Sequence, residues 1–156
     1  DSNRRILMVE DSKGNVFVPI DTEYNPIFVP EGYDIHANGA EAKESWNPFW
    51  FHKKVRGGGD WDYKLLSADG RFEALGNYNY GYTGEAFGFP EETLLRQAGQ
   101  AQIRSGTSRS EWQIRKNARA PMSPPFGDDP RDQIMIQRGI DARKNDYQFT
   151  TTGIQW

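Results

Sequence analysis

The chain is predicted to be a single α+β domain, on three observations. Short apolar stretches separated by a turn open it (residues 5–10 and 15–20), and two proline-led segments further on (90–106 and 129–144) carry helical periodicity. Between them lies a block rich in glycine and aromatic residues, with polar groups interleaved. Its 156 residues are enough to bury a real core without a metal or disulfide staple.

In order, residues 5–10, the turn Asp11-Ser12-Lys13-Gly14 and residues 15–20 predict an N-terminal β-hairpin. Pro26 and Pro30 make residues 21–32 an extended loop. Asn38 and Gly39 start a helix through Glu44, and Asn47-Pro48 restarts it as N-cap and first helical residue. Trp46, Phe49, Trp50 and Lys53 recur at helical spacing, so this face is predicted to look inward. The glycine run 57–59 stops that helix. Residues 62–66 and 71–75 flank Asp69-Gly70 as a second hairpin, and residues 76–84 continue as a central glycine-rich β element. A helix follows with Pro90 at its first position, Glu91 and Glu92 in the first turn and Gly106 as its stop; Gly99 within it marks close packing. Residues 107–119 form a short helix or a surface arm bearing Arg109, Arg115, Lys116 and Arg119. A proline-rich loop, 120–127, leads to a last helix with Asp129 as N-cap, Pro130 first and Asp132 in a capping-box role. The tail 149–156 is a strand or a packed tail. The total is three to four helices.

Composition excludes several chemistries. There is no cysteine, which removes thiol nucleophiles, thiolate zinc sites and disulfides together. With no cysteine and only two histidines, His36 and His52, a zinc site is not expected, and the reading includes no metal and no cofactor. Net charge of −3 argues against a domain whose affinity rests on phosphate contacts. No window approaches a membrane span and no signal-peptide pattern is visible. A chain beginning at Asp1 reads as a piece of a longer polypeptide.

The candidate chemistry clusters in and after the glycine run. Asp60 and Asp62 straddle Trp61 and share a face if extended, with Lys64 two residues on. Such a carboxylate pair does acid–base work, holds a divalent ion or is simply solvated. Glu73 suits a general acid if buried among aromatics, since desolvation raises a carboxyl pKa; an exposed hairpin residue is the plain alternative. Asn77, Asn79 and Thr83 hold a polar substrate or fix turns. Asp128 is left over once capping has absorbed Asp129 and Asp132. The catalytic candidates are therefore Asp62, Glu73, Lys64 and Asp128. The substrate-binding candidates are Trp61, Tyr63, Asn77, Asn79, Tyr80, Thr83 and Arg56. The block serves equally as a plain glycine-rich hairpin with cross-strand aromatic pairs.

Trp50-Phe51, Val55-Arg56, Gly59, Trp61-Asp62-Tyr63-Lys64 and Gly76-Asn77-Tyr78-Asn79-Tyr80-Gly81 with Thr83-Gly84 resemble the polymorphic toxin type 44 domain, the bacterial toxin 44 family. So do Leu94-Leu95-Arg96, Ala98-Gly99, Gln102 and Pro125-Phe126-Gly127-Asp128-Asp129-Pro130 with Asp132-Gln133, so that the resemblance covers roughly residues 46–140. Asp60 and Tyr82 stand where the pattern has proline and a small residue. The resemblance implies a C-terminal toxin domain of a large secreted effector of the Rhs or type VI secretion kind. Such a domain is delivered into competing bacteria and paired with an immunity protein.

Within that resemblance two enzymatic readings compete. One is a peptidoglycan hydrolase acting through carboxylates in the periplasm, suited by aromatics, amide donors and acidic charge. The other is a metal-independent ribonuclease in the cytoplasm, using Arg56, Lys64, Tyr63, Arg115 and Lys116 on phosphate. A non-enzymatic binding module is the third. A monomer is expected. All the enzymatic readings need the acidic and amide groups around Asp69-Gly70 to converge on one solvent-reachable cleft.

Overall fold

The computed structural model describes residues 3–155, with side chains over 4–154. Its elements run β1 (Asn3–Glu10), β2 (Val16–Phe17), β3 (Phe28–Val29), α1 (Ile35–Glu44), α2 (Pro48–Val55), α3 (Glu73–Phe87), α4 (Glu91–Arg104), α5 (Pro130–Lys144) and β4 (Gln148–Gln155). Single 3₁₀ turns lie at Tyr63–Leu66 and Ser110–Trp112. The architecture is α+β, as the sequence predicts. The expected tail extends to Trp156, which lies outside the described residues.

β1 is the centre of an antiparallel sheet. The N-terminal hairpin forms, with Val9 opposite Phe17 and Glu10 opposite Val16, and Asp11 fixes its turn by accepting from the Lys13 and Asn15 amides. β2 is shorter than expected, and β1 instead finds a full-length partner in β4, from Asn3 opposite Gln155 to Glu10 opposite Gln148. β3, inside the predicted loop, takes Arg5 and Ile6 on the other edge. Leu7, Val9, Ile27, Val29 and Phe149 bury one face against Ile35, Leu75, Tyr78 and Tyr82 of α1 and α3.

Three expectations are corrected. α1 starts earlier, capped by Asp34, whose carboxylate accepts from the Ala37 amide; Asn38 is inside the helix. The aromatic stripe does not look inward: Trp46 is 87% exposed and Phe49 79%, while Phe51 is buried. The chain breaks at Ser45 to Asn47, so a spacing counted from Trp46 does not carry into α2. Phe51 instead meets Trp61, Tyr80, Phe87 and Phe89, with ring centroids 5.2–6.3 Å away.

The third correction is the largest. The central block is not a β element; it is helix α3, and the second hairpin is replaced by a 3₁₀ turn and a bend that launches that helix. Asp69 accepts from the Arg71 amide and pairs bidentately with its guanidinium, and Gly70 takes φ +74°. The glycines that suggested a hairpin serve a helix crossing. A methyl group at Gly81 would overlap the Ile136 carbonyl of α5, and one at Gly139 would overlap the Tyr78 carbonyl of α3. Gly84 lets Leu94 sit on the same helix. Glycine costs roughly 1 kcal/mol of helix propensity per residue, and burial of α3 against α1, α4 and α5 overrides it.

Helices α4 and α5 form where predicted, with two differences: α4 starts after Pro90 and not at it, and the described α-helices number five, not three to four. Gly99 lies under the Phe126 carbonyl. Asn47 caps α2 and Asp129 caps α5, accepting from the Phe49 and Arg131 amides at 3.0 and 2.9 Å.

Candidate active site

The start of α3 points a row of polar side chains away from the sheet. Glu73, Asn77 and Tyr80 sit at i, i+4 and i+7, so they share one face. Opposite them lies the first turn of α5 with Asp132, and beside it Asp128 on the preceding loop. The Gly57–Gly59 loop, Asp62 and α4 close the remaining sides. The enclosed cleft is about 490 Å³ and opens to solvent; Arg56, Trp61, Asp62, Lys64, Glu73, Asn77, Tyr80, Asp128 and Asp132 all line it.

Most of the candidates chosen from sequence therefore meet. Three do not line this cleft. Asn79 and Thr83 are fully buried on the opposite face of α3. The Thr83 hydroxyl donates to the Asn79 carbonyl at 2.7 Å, and the Asn79 side-chain oxygen accepts from Tyr33 and Asn38. Tyr63 turns toward the same interior network, accepting from Asn38 at 2.8 Å and packing edge-on against Tyr33. These groups fix α1 against α3. Asp60 is exposed and holds Lys54, which also pairs with Glu41 and lies over Trp50 and Trp61.

Asp62 reaches the cleft wall but is already engaged: its carboxylate accepts from the Gly58 amide at 2.8 Å and pins the glycine loop. Gly58 has φ +79°, and Gly59 lies so close to the Lys53 and Lys54 carbonyls that a side chain would collide. This loop therefore needs glycine at both positions. Lys64 is exposed at the mouth.

Asp128 is buried, with 3% of its surface exposed. Its loop is clamped to α4: Arg96 donates to the Met122 carbonyl at 2.8 Å and covers the Phe126 ring, while Gly127 donates to Trp112. The Asp128 carboxylate accepts from the Asp129 amide at 3.0 Å and from Gln133 Nε2 at 2.8 Å. Gln133 donates from that same nitrogen to the Leu95 carbonyl. Burial pushes the Asp128 pKa up to about 6 against these two hydrogen bonds.

Asp132 is the functional candidate that sequence reasoning missed. Its expected capping-box bond is not made; Asp128 takes the Asp129 amide instead. The Asp132 carboxyl thus stays in the cleft, where burial first, and then the charges of Asp128 and Glu73, push its pKa up to about 7. Its place in the first turn of a helix disguised it, because a capping role explains the same residue type at the same spacing. His52, which reads from sequence as an ordinary helix-surface or packed histidine, and Arg104 also line the mouth.

A proton shared among clustered carboxyls near neutral pH is what paired acid and base catalysis uses. Among the described residues no group of three His, Cys, Asp or Glu has the arrangement to hold a metal ion. No described helix is long and apolar enough to cross a membrane.

Comparison with protein families matches residues 63–145 to the family described as bacterial toxin 44, a span that includes Glu73, Asn77, Asp128 and Asp132. No curated protein and no solved structure matches the chain.

Proposed function

The chain belongs to the bacterial toxin 44 family, and from that premise we propose an antibacterial effector domain that hydrolyses glycosidic bonds of peptidoglycan. The observation carrying this reading is Asp132: a carboxyl that keeps its proton close to neutral pH, set beside Glu73 in an open cleft. Glycoside hydrolysis needs one carboxylic acid to protonate the leaving oxygen and one carboxylate to activate water or attack the sugar.

Asp132 takes the part of the acid. Glu73, exposed in the first turn of α3, takes the part of base or nucleophile. Asp128 is a positioning residue: both its oxygens are occupied by protein donors, and its charge raises the Asp132 pKa. Asn77 and Lys64 contact the sugar, and Trp61 and Tyr80 form the apolar wall. Asp62 keeps the loop bearing Arg56 in place. The proposed setting is secretion and delivery to the periplasm of the target cell, with a cognate immunity protein as partner.

One observation favours a second reading. Arg56, Lys64 and Arg104 line the same mouth, a cationic rim with His52 beside it, and this suits a ribonuclease acting without metal. The compartment of toxicity separates the two. Expression with a periplasmic signal is expected to lyse cells while cytoplasmic expression is tolerated. Killing from the cytoplasm alone supports the ribonuclease, and killing from neither supports a binding module.

A further inference from the structure

A second hollow, of about 740 Å³, lies on the far side of the carboxylate cluster. It is walled by the 21–28 segment, by the Asp69–Arg71 bend and by the start of α5. Glu73, Asn77 and Asp132 line it as well as the cleft already described, so the two hollows meet at those three residues. Each volume is within the range of a ligand cleft on its own. An enzyme that trims chain ends needs space for substrate on one side of its acid and a wall on the other; here there is space on both.

The first arm is the more charged, with Arg71 and Arg131 beside Asp21, Glu23 and Asp69, and both arms also carry amide or hydroxyl side chains. Thr22 and Asn25 face the first hollow beside the Phe28 ring, and Gln97 and Gln102 face the second beside Trp61. Amides and a hydroxyl suit sugar rings bearing acetamido and hydroxyl groups, which they meet as hydrogen-bond donors and acceptors. We infer that both hollows form one binding channel for a linear N-acetylated polysaccharide, which passes across Glu73, Asn77 and Asp132 and is cut internally. This inference rests on the glycan-hydrolase reading and adds the mode of attack and the 21–28 arm as a subsite.

The test uses the whole domain on isolated sacculi stripped of stem peptides, with fragment lengths followed from the earliest times. Internal cutting is expected to give a broad spread of long fragments first. Release of only mono- or disaccharide units from the outset overturns the channel and leaves the hydrolase reading standing. Absence of any glycan cleavage overturns both. A second measurement fills the first arm with Asn25→Trp. It is expected to raise KM for long strands at least about fivefold while kcat on a short N-acetylglucosamine oligomer stays as in the parent protein, the mark of lost uniform binding. Unchanged KM on long strands, or an equal fall in kcat on both substrates, overturns the subsite.

Discussion

At the residue scale the account turns on Asp132. Its pKa is raised in the folded chain, so the folded state holds a proton that the unfolded chain has released. Stability therefore falls as pH rises from the ordinary carboxylate range through about 7. Asp132→Asn removes that dependence. The variant is expected to unfold at higher denaturant than the parent protein at pH 8, with a smaller difference at pH 5, while its rate on glycan falls about 10²- to 10⁴-fold, the usual weight of a general acid. Equilibrium urea unfolding at the two pH values checks the first part; equal loss of stability at both would mean that Asp132 is a structural residue. In the sequence Asp132 was hidden by its position, since an acidic residue three places into a helix has an ordinary explanation. Asp128 was legible because capping left it over. Asn79 and Thr83 were misassigned because polar residues between glycines read as a surface loop, and only the α3 face they occupy shows that they bond to the protein itself.

At the scale of elements, the proline-led helices and the N-terminal hairpin were legible because their signals are local: a cap, a fixed φ, a turn. α3 was not. Its glycines at 76, 81 and 84 lower local helix propensity, and the element that makes Gly81 useful, the α5 backbone at Ile136, lies more than fifty residues away. Local pattern carries no information on such a pairing. The crossing predicts a contrast between two like substitutions. Gly81→Ala forces a methyl into the Ile136 backbone and is expected to cost about 1–3 kcal/mol or more. Gly76→Ala meets nothing within 4 Å and is expected to stabilise by roughly 0.5–1 kcal/mol through helix propensity. Urea midpoints compared at constant slope measure both. Similar shifts of the same sign would contradict the packing role given to Gly81.

At the scale of the whole molecule, the sheet and the helices that line the cleft are one mechanical unit. Phe149, on β4, packs edge-on against Tyr82 at 5.5 Å and against Tyr78 at 6.1 Å, and its amide donates to His36 Nε2 on α1. The last strand thus braces the helix that carries Glu73. Phe149→Ala is expected to cost about 3–5 kcal/mol, as for other buried aromatic truncations, and to lower the melting temperature of the domain as a single transition. A separate early transition would show that the sheet and helices unfold apart. The aromatic surplus that looked like a sugar-binding feature in the sequence mostly builds the core around Phe51 and Phe149; Trp61 and Tyr80 belong to that packing and also line the cleft.

The most direct measurement is release of reducing sugar ends from purified sacculi by the domain and by its Asp132→Asn and Glu73→Gln variants, across pH 5 to 9. Release by the parent protein, falling as pH rises through about 7 where the Asp132 acid loses its proton, and nearly absent in both variants, is the predicted result. Intact sacculi alongside degraded RNA, or full activity in either variant, would contradict it.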